Sequence, residues 1–102
     1  MHEFDAWVVV KLPENRGYKV FGSNAGGYTT GDNWRLNSGI TRVEQDPTST
    51  DHLLFHGYSG STYRLHKKCY GVVGSYNASV LNKLEEKGVK VMNDHDWLKF
   101  NL

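Results

Sequence analysis

One cysteine, two prolines and no apolar run longer than AWVVV at residues 6–10 set the first limits on this chain. A lone Cys69 excludes an internal disulfide and any cysteine-rich zinc array, and it suits a reducing compartment such as the cytoplasm. AWVVV is far shorter than the ~20 residues that cross a bilayer, so no membrane span is expected. The opening MHEFDAW has neither the basic n-region nor the apolar h-region of a secretory leader. Net charge is also missing: 12 Lys and Arg against 11 Asp and Glu leave +1 at pH 7. That balance argues against a polyanion mimic and against a protein that coats nucleic acid by bulk charge, so an electrostatic function has to be a local patch. The most informative absence lies in the middle. Residues 52–84 contain no Asp or Glu, yet they hold Arg64, Lys67, Lys68, Lys83, His52, His56 and His66.

What is present is the material of a small core. With 38% hydrophobic and 13% aromatic residues, 102 residues can bury enough area to fold as one domain, residues 1–102. Residues 6–12 read as a β-branched strand stopped by Pro13; ENRG supplies a turn, and residues 17–21 return as a second strand. Residues 22–39 are glycine-rich and polar, with Trp34 and Leu36 as anchors, and read as a long ordered loop around a short strand. Residues 40–45 alternate as a strand that ends at DPTSTD. Residues 52–71 form a second hairpin. GVVGS then leads into a helix over residues 75–87, with Ser75 or Asn77 as its N-cap and an apolar stripe of Ala78, Leu81 and Leu84 flanked by Tyr76 and Val80. Gly88 caps the helix before the strand VKVM, and Trp97, Leu98 and Phe100 dock a short tail. The expected fold is α+β: a mainly antiparallel sheet of about five strands, one main helix after the second hairpin and a short C-terminal segment. Trp7 or Val8 with its alternates, Phe55, Tyr63, Leu65, Leu81 and Leu84 should share one cluster between sheet and helix.

The register of the second hairpin decides which side chains share a face. A two-residue turn at Ser59-Gly60 would place His56 among Leu54, Tyr63 and Leu65. A three-residue loop of Tyr58, Ser59 and Gly60, with Gly60 left-handed in a bulge, separates the types instead. It points Leu53, Phe55, Tyr63 and Leu65 to the core and His52, His56, Thr62, Arg64 and His66 outward, with Leu54 the exception and His52 opposite His66. The three-residue loop is therefore expected, with His56 and Arg64 accessible to solvent.

Chemistry is harder to find. His52, His56 and His66 lack any recognised metal-ligand spacing, and exposed strand histidines ordinarily just occupy a polar face. Cys69 follows His66 at i+3, but a nucleophile also needs an orienting group and an oxyanion site, and a lone cysteine at a strand end is ordinarily a small apolar residue. GVVGSYN has glycines before a helix N-terminus, near Lys67 and Lys68, without the spacing of a nucleotide-binding loop. Tyr28, Trp34 and Arg35 are residue types that dominate protein interfaces and also stack bases, while Trp34 alone is as readily a core residue. A hydrolase or nuclease using one of the histidines would need Asp32, Glu44 or Asp51 to fold against it. No catalytic set, metal site or cofactor is assigned.

The block NWRLNSGI (residues 33–40) with LLFHGYSGSTYRLHKKCYG (residues 53–71) resembles, in cadence, small uncharacterised open reading frames of tailed bacteriophages and prophages. The resemblance covers about a third of the chain and implies a phage accessory protein without transferring any functional residue. The expected function is thus non-enzymatic: binding a host protein in the host cytoplasm through a basic hairpin face (Arg64, Lys67, Lys68, His52, His56, His66) and an aromatic glycine-rich loop (Tyr28, Trp34, Arg35). Nucleic acid is the alternative partner. Replacing Arg64, Lys67 and Lys68 together by Ala is expected to leave the fold intact.

Overall fold

The computed structural model describes residues 1–26 and 31–93. Its strands are β1 (His2–Glu3), β2 (Ala6–Lys11), β3 (Tyr18–Ala25), β4 (Asp32–Leu36), β5 (Ile40–Gln45), β6 (His52–Gly57), β7 (Thr62–His66) and β8 (Lys90–Val91), with one helix, α1 (Ser75–Glu86), between β7 and β8. The α+β class and the main helix after the second hairpin are as expected. The strands, however, form two four-stranded sheets, ordered β1-β7-β6-β5 and β4-β3-β2-β8, where a single sheet was expected. The expected tail segment, with Trp97, Leu98 and Phe100, falls outside the described residues.

The sheets join because two stretches of chain bend from one sheet into the other. The run β1–β2 turns at residues 4–5, and the run β4–β5 turns at residues 37–39. At the second corner, Val20 and Gly39 donate their N–H groups to the Asn37 side-chain oxygen at 2.9 and 3.3 Å. Counted as bent runs, the chain passes up and down five times, each run antiparallel to the next through the pairs β2–β3, β3–β4, β5–β6 and β6–β7. In a ring with an odd number of runs, the first and last must point the same way. β1 does pair with β7 in parallel, and Trp7 continues that seam as a parallel bridge to Tyr70. The result is a partly open barrel.

This arrangement explains the apolar run of β2. Trp7 and Val9 face the barrel interior with Val20, Val43, Leu53, Phe55, Tyr63 and Leu65, whereas Val8 and Val10 face outward to meet Phe21 and Leu81 under the helix. A strand covered on both faces loses the alternation that marks a half-exposed one. The single expected cluster is therefore two: Leu81 and Leu84 pack on the outer face of β2 and β3, a sheet's thickness away from Phe55, Tyr63 and Leu65.

Residues 22–39 hold the expected short strand, β4, with Trp34 and Leu36 on it, but depart from expectation in the loop around it. β3 extends to Ala25 and β4 pairs with it from Phe21↔Leu36 to Ala25↔Asp32, so half of the stretch is a ladder. The helix begins as expected, but its buried face is Asn77 and Leu81, flanked by Val80 and Leu84, while Ala78 and Tyr76 are exposed. Asn77 is buried because its side-chain amide donates to the carbonyls of Asn24 and Val73 at 3.0 and 2.9 Å. The N-cap is Gly74, with no side-chain bond of its own; Asp32 on β4 accepts the Tyr76 N–H at 3.2 Å in place of the expected Ser75 or Asn77. Gly88, at φ +99°, closes the other end, with its N–H on Glu85 and that of Val89 on Leu84.

Candidate functional site

The second hairpin adopts the expected register. Its pairs run from His52↔His66 to His56↔Thr62, and the Gly57 N–H reaches the Ser61 carbonyl at 2.9 Å, leaving residues 58–60 as the loop with Gly60 at φ +86°. Leu53, Phe55, Tyr63 and Leu65 are buried in the barrel. His52, His56, Thr62, Arg64 and His66 share the opposite face, each half-buried, and Leu54 lies among them, 8% exposed.

The acid-free stretch of sequence does not make an acid-free surface. Strand pairing brings Glu3 and Glu44 into the same cross-strand row as Arg64 and Leu54. Arg64 lies between two carboxylates, its Nε donating to Asp46 at 2.6 Å and its Nη1 to Glu3 at 2.8 Å, and both bonds raise the guanidinium's affinity for its proton. Asp46 also accepts the Thr48 hydroxyl and N–H at 2.7 and 2.8 Å. The Thr48 bonds first, and Arg64 after them, hold its carboxyl down to about 2. In the same row as Arg64, Glu44 reaches across to another row, accepting Arg42 at 2.7 Å and facing His56 at 3.1 Å, and the other ring nitrogen of His56 meets the Thr62 hydroxyl at 3.2 Å. Glu3, Arg42 and Asp46 were missed as members of this face, and Glu44 was named only as a carboxylate that a hydrolase would require there. Asp46 was legible only as a turn residue, and the other three come from strands outside the basic stretch.

His52 and His66 meet edge to face with ring centres 5.0 Å apart; Ser49 bonds the first and the Lys68 N–H the second. Among the described residues no three His, Cys, Asp or Glu side chains gather as metal ligands. Lys67 reaches Gln45 at 2.6 Å, and Lys68 is exposed beside it.

The condition set for a hydrolase is partly met, since Glu44 does fold against His56 and the order Thr62, His56, Glu44 has the spacing of a nucleophile, base and orienting acid. Arg42 shares the same Glu44 oxygen, and an open sheet face does not exclude the water that weakens oxyanion stabilisation. Cross-strand bonding accounts for the arrangement without a reaction.

The other expected binding residues lie elsewhere. Tyr28 is outside the described residues. Trp34 is on β4, stacked on Phe21 with ring centres 5.5 Å apart, and Arg35 on the opposite face of β4 meets His2 at 3.3 Å. Partial burial, then Arg35 and the N-terminal amine, disfavours protonation of that histidine. The helix start does not join the basic face either: α1 covers the second sheet, and the Asp32 carboxylate already sits at its N-terminus.

Comparison with protein-family models, curated proteins and solved structures finds no match. Among the described residues no helix is long and apolar enough to cross a membrane.

Proposed function

We propose that this chain is a small non-enzymatic binding protein of the phage accessory type that engages a host protein through the outer face of β7, β6 and β5. One observation carries this reading. Among the described residues the helix lies on the other sheet, while this face presents Arg42, Arg64, His52, His56 and His66, with Lys67 and Lys68 at its end, interleaved with Glu3, Glu44 and Asp46. A phosphate backbone would meet those carboxylates as repulsion, whereas a protein surface of mixed charge can match both signs. Held by ion pairs and cross-strand bonds, the side chains lose less freedom on binding.

The test is capture of partners from a bacterial lysate, with and without nuclease, by the wild-type chain and by a variant carrying Arg42→Ala, Lys67→Glu and Lys68→Glu. Arg64 is left in place because its loss would strand the nearly buried Asp46 carboxylate, so the all-alanine triple that includes it would disturb the fold as well as the surface. The expected result is a nuclease-resistant protein partner that the variant, folded by circular dichroism, retains poorly. Capture that disappears with nuclease, or that the variant retains in full, would count against this reading.

A further inference from the structure

Of the four large apolar side chains that stand exposed among the described residues, one lies on β4, one bonds to it, and two are linked to it only through neighbouring residues. Trp34, 38% exposed, is on the strand itself. Tyr76, 58% exposed, gives its N–H to Asp32 where the strand begins. Tyr58, 76% exposed, gives its N–H to the Gly39 carbonyl just past the strand's end, and a Cβ at Gly39 would fall 2.6 Å from its ring. Met1 precedes His2, the residue that meets Arg35. Of these, Trp34 and Tyr76 are the ones placed where a partner strand on β4 would cover them.

Among the described residues β4 is an unpaired edge. Gly31 accepts the Gly26 N–H and Asn37 donates to Val20, so Asn33 and Arg35 point their backbone groups at β3. By alternation Asp32, Trp34 and Leu36 point theirs outward. The other edges are guarded: β1 and β8 are two residues long, and β5 is irregular at Thr41 and carries Arg42 and Glu44. β4 carries Asp32 and Arg35 but is five residues long and regularly paired to β3, neither short nor irregular.

We propose that β4 pairs antiparallel with β4 of a second copy across a two-fold axis, joining two four-stranded sheets into one. The register follows from the outward groups: Trp34 lies opposite the same residue of the second copy, Asp32 opposite Leu36, and Asn33 opposite Arg35. This pairing is self-complementary. No like charges face each other, the Asn33 amide meets the guanidinium, and Tyr76 at Asp32 approaches the second copy's Leu36. A two-fold pairing also uses the edge once and closes, so Trp34 is covered without an open chain of copies.

Sedimentation between about 1 and 100 µM should show a monomer–dimer equilibrium. Hydrogen exchange at the Trp34 amide should slow as concentration rises, because that N–H, without a partner among the described residues of one copy, gains one in the dimer. Asn33 is exposed, so substitutions there spare the core. Asn33→Lys places like charges across the axis twice and should weaken the dimer by roughly tenfold, while Asn33→Asp should tighten it by a similar factor. A monomer throughout the range, a dimer equally strong in both variants, or Trp34 protection independent of concentration would overturn the proposal.

Discussion

Asp46 shows how one residue can act as a structural hinge of charge. It is 6% exposed yet ionised, because Thr48 and Arg64 satisfy the carboxylate. Its folded-state pKa of about 2 lies below its ordinary value of 3.8, so as pH falls the unfolded chain takes up the proton first. The stabilisation is complete above the ordinary value and is lost as pH falls from there toward 2. Urea midpoints measured across that window should fall for the wild type, and Asp46→Asn should flatten part of the decline; an unchanged slope would deny the residue this role. Gly60 makes a different demand. A Cβ there would meet nothing within 4 Å, so its requirement is the positive φ alone, and Gly60→Val should cost about 1–2 kcal/mol in urea unfolding. That need was legible from the sequence because turn length sets it locally. Gly22 was not legible: a Cβ there would lie 2.5 Å from the ring of Phe4, a neighbour that only the fold supplies.

Elements built on local rules were read well, and those that depend on distant partners were not. The second hairpin follows from counting a turn and sorting faces, and the helix end follows from Lys87-Gly88. β4 was read only as a short strand without bounds or partner, because a strand at a sheet edge needs only one ladder and tolerates the polar side chains of Asp32, Asn33 and Arg35. In α1 the apolar periodicity gave the helix but misplaced its face by one step, since the buried Asn77 looks like a surface residue until its bonds to Asn24 and Val73 are known. The corrected face makes a paired prediction. Leu81→Ala should destabilise by ~2–5 kcal/mol, the range for a truncated buried leucine, while Ala78→Glu, on the exposed side, should change stability by less than about 0.5 kcal/mol. Thermal or urea unfolding of the two variants checks it, and comparable losses in both would mean the helix is rotated from its described position.

At the scale of the whole molecule, no local pattern announces that residues 2–3 lie beside residues 63–64 or that three carboxylates close in on an acid-free stretch. Both follow from the closure of the ring, and Trp7 is where the closure is concentrated. Its indole N–H donates to the His66 carbonyl at 2.7 Å, its backbone N–H to Cys69 at 3.1 Å, and its carbonyl accepts the Gly71 N–H at 2.8 Å. The ring packs against Phe55 and Tyr70 with centres 5.2 and 4.8 Å apart, wholly buried. Trp7→Ala removes both the packing and the donor and should cost ~3–5 kcal/mol, a large share of the roughly 5–15 kcal/mol that holds a small domain together. Trp7→Phe keeps an aromatic ring but removes one of the two donors to the His66 carbonyl, which still accepts the Cys69 N–H at 3.1 Å, a loss of about 0.5–1.5 kcal/mol, plus whatever the smaller ring fails to fill. Urea unfolding followed by far-UV circular dichroism, which does not depend on the indole signal, should therefore rank wild type above Trp7→Phe above Trp7→Ala. If Trp7→Ala lost no more than a surface substitution, the parallel seam between the first and last runs would be an accessory contact, and the stability of the barrel would have to rest on its antiparallel hairpins alone.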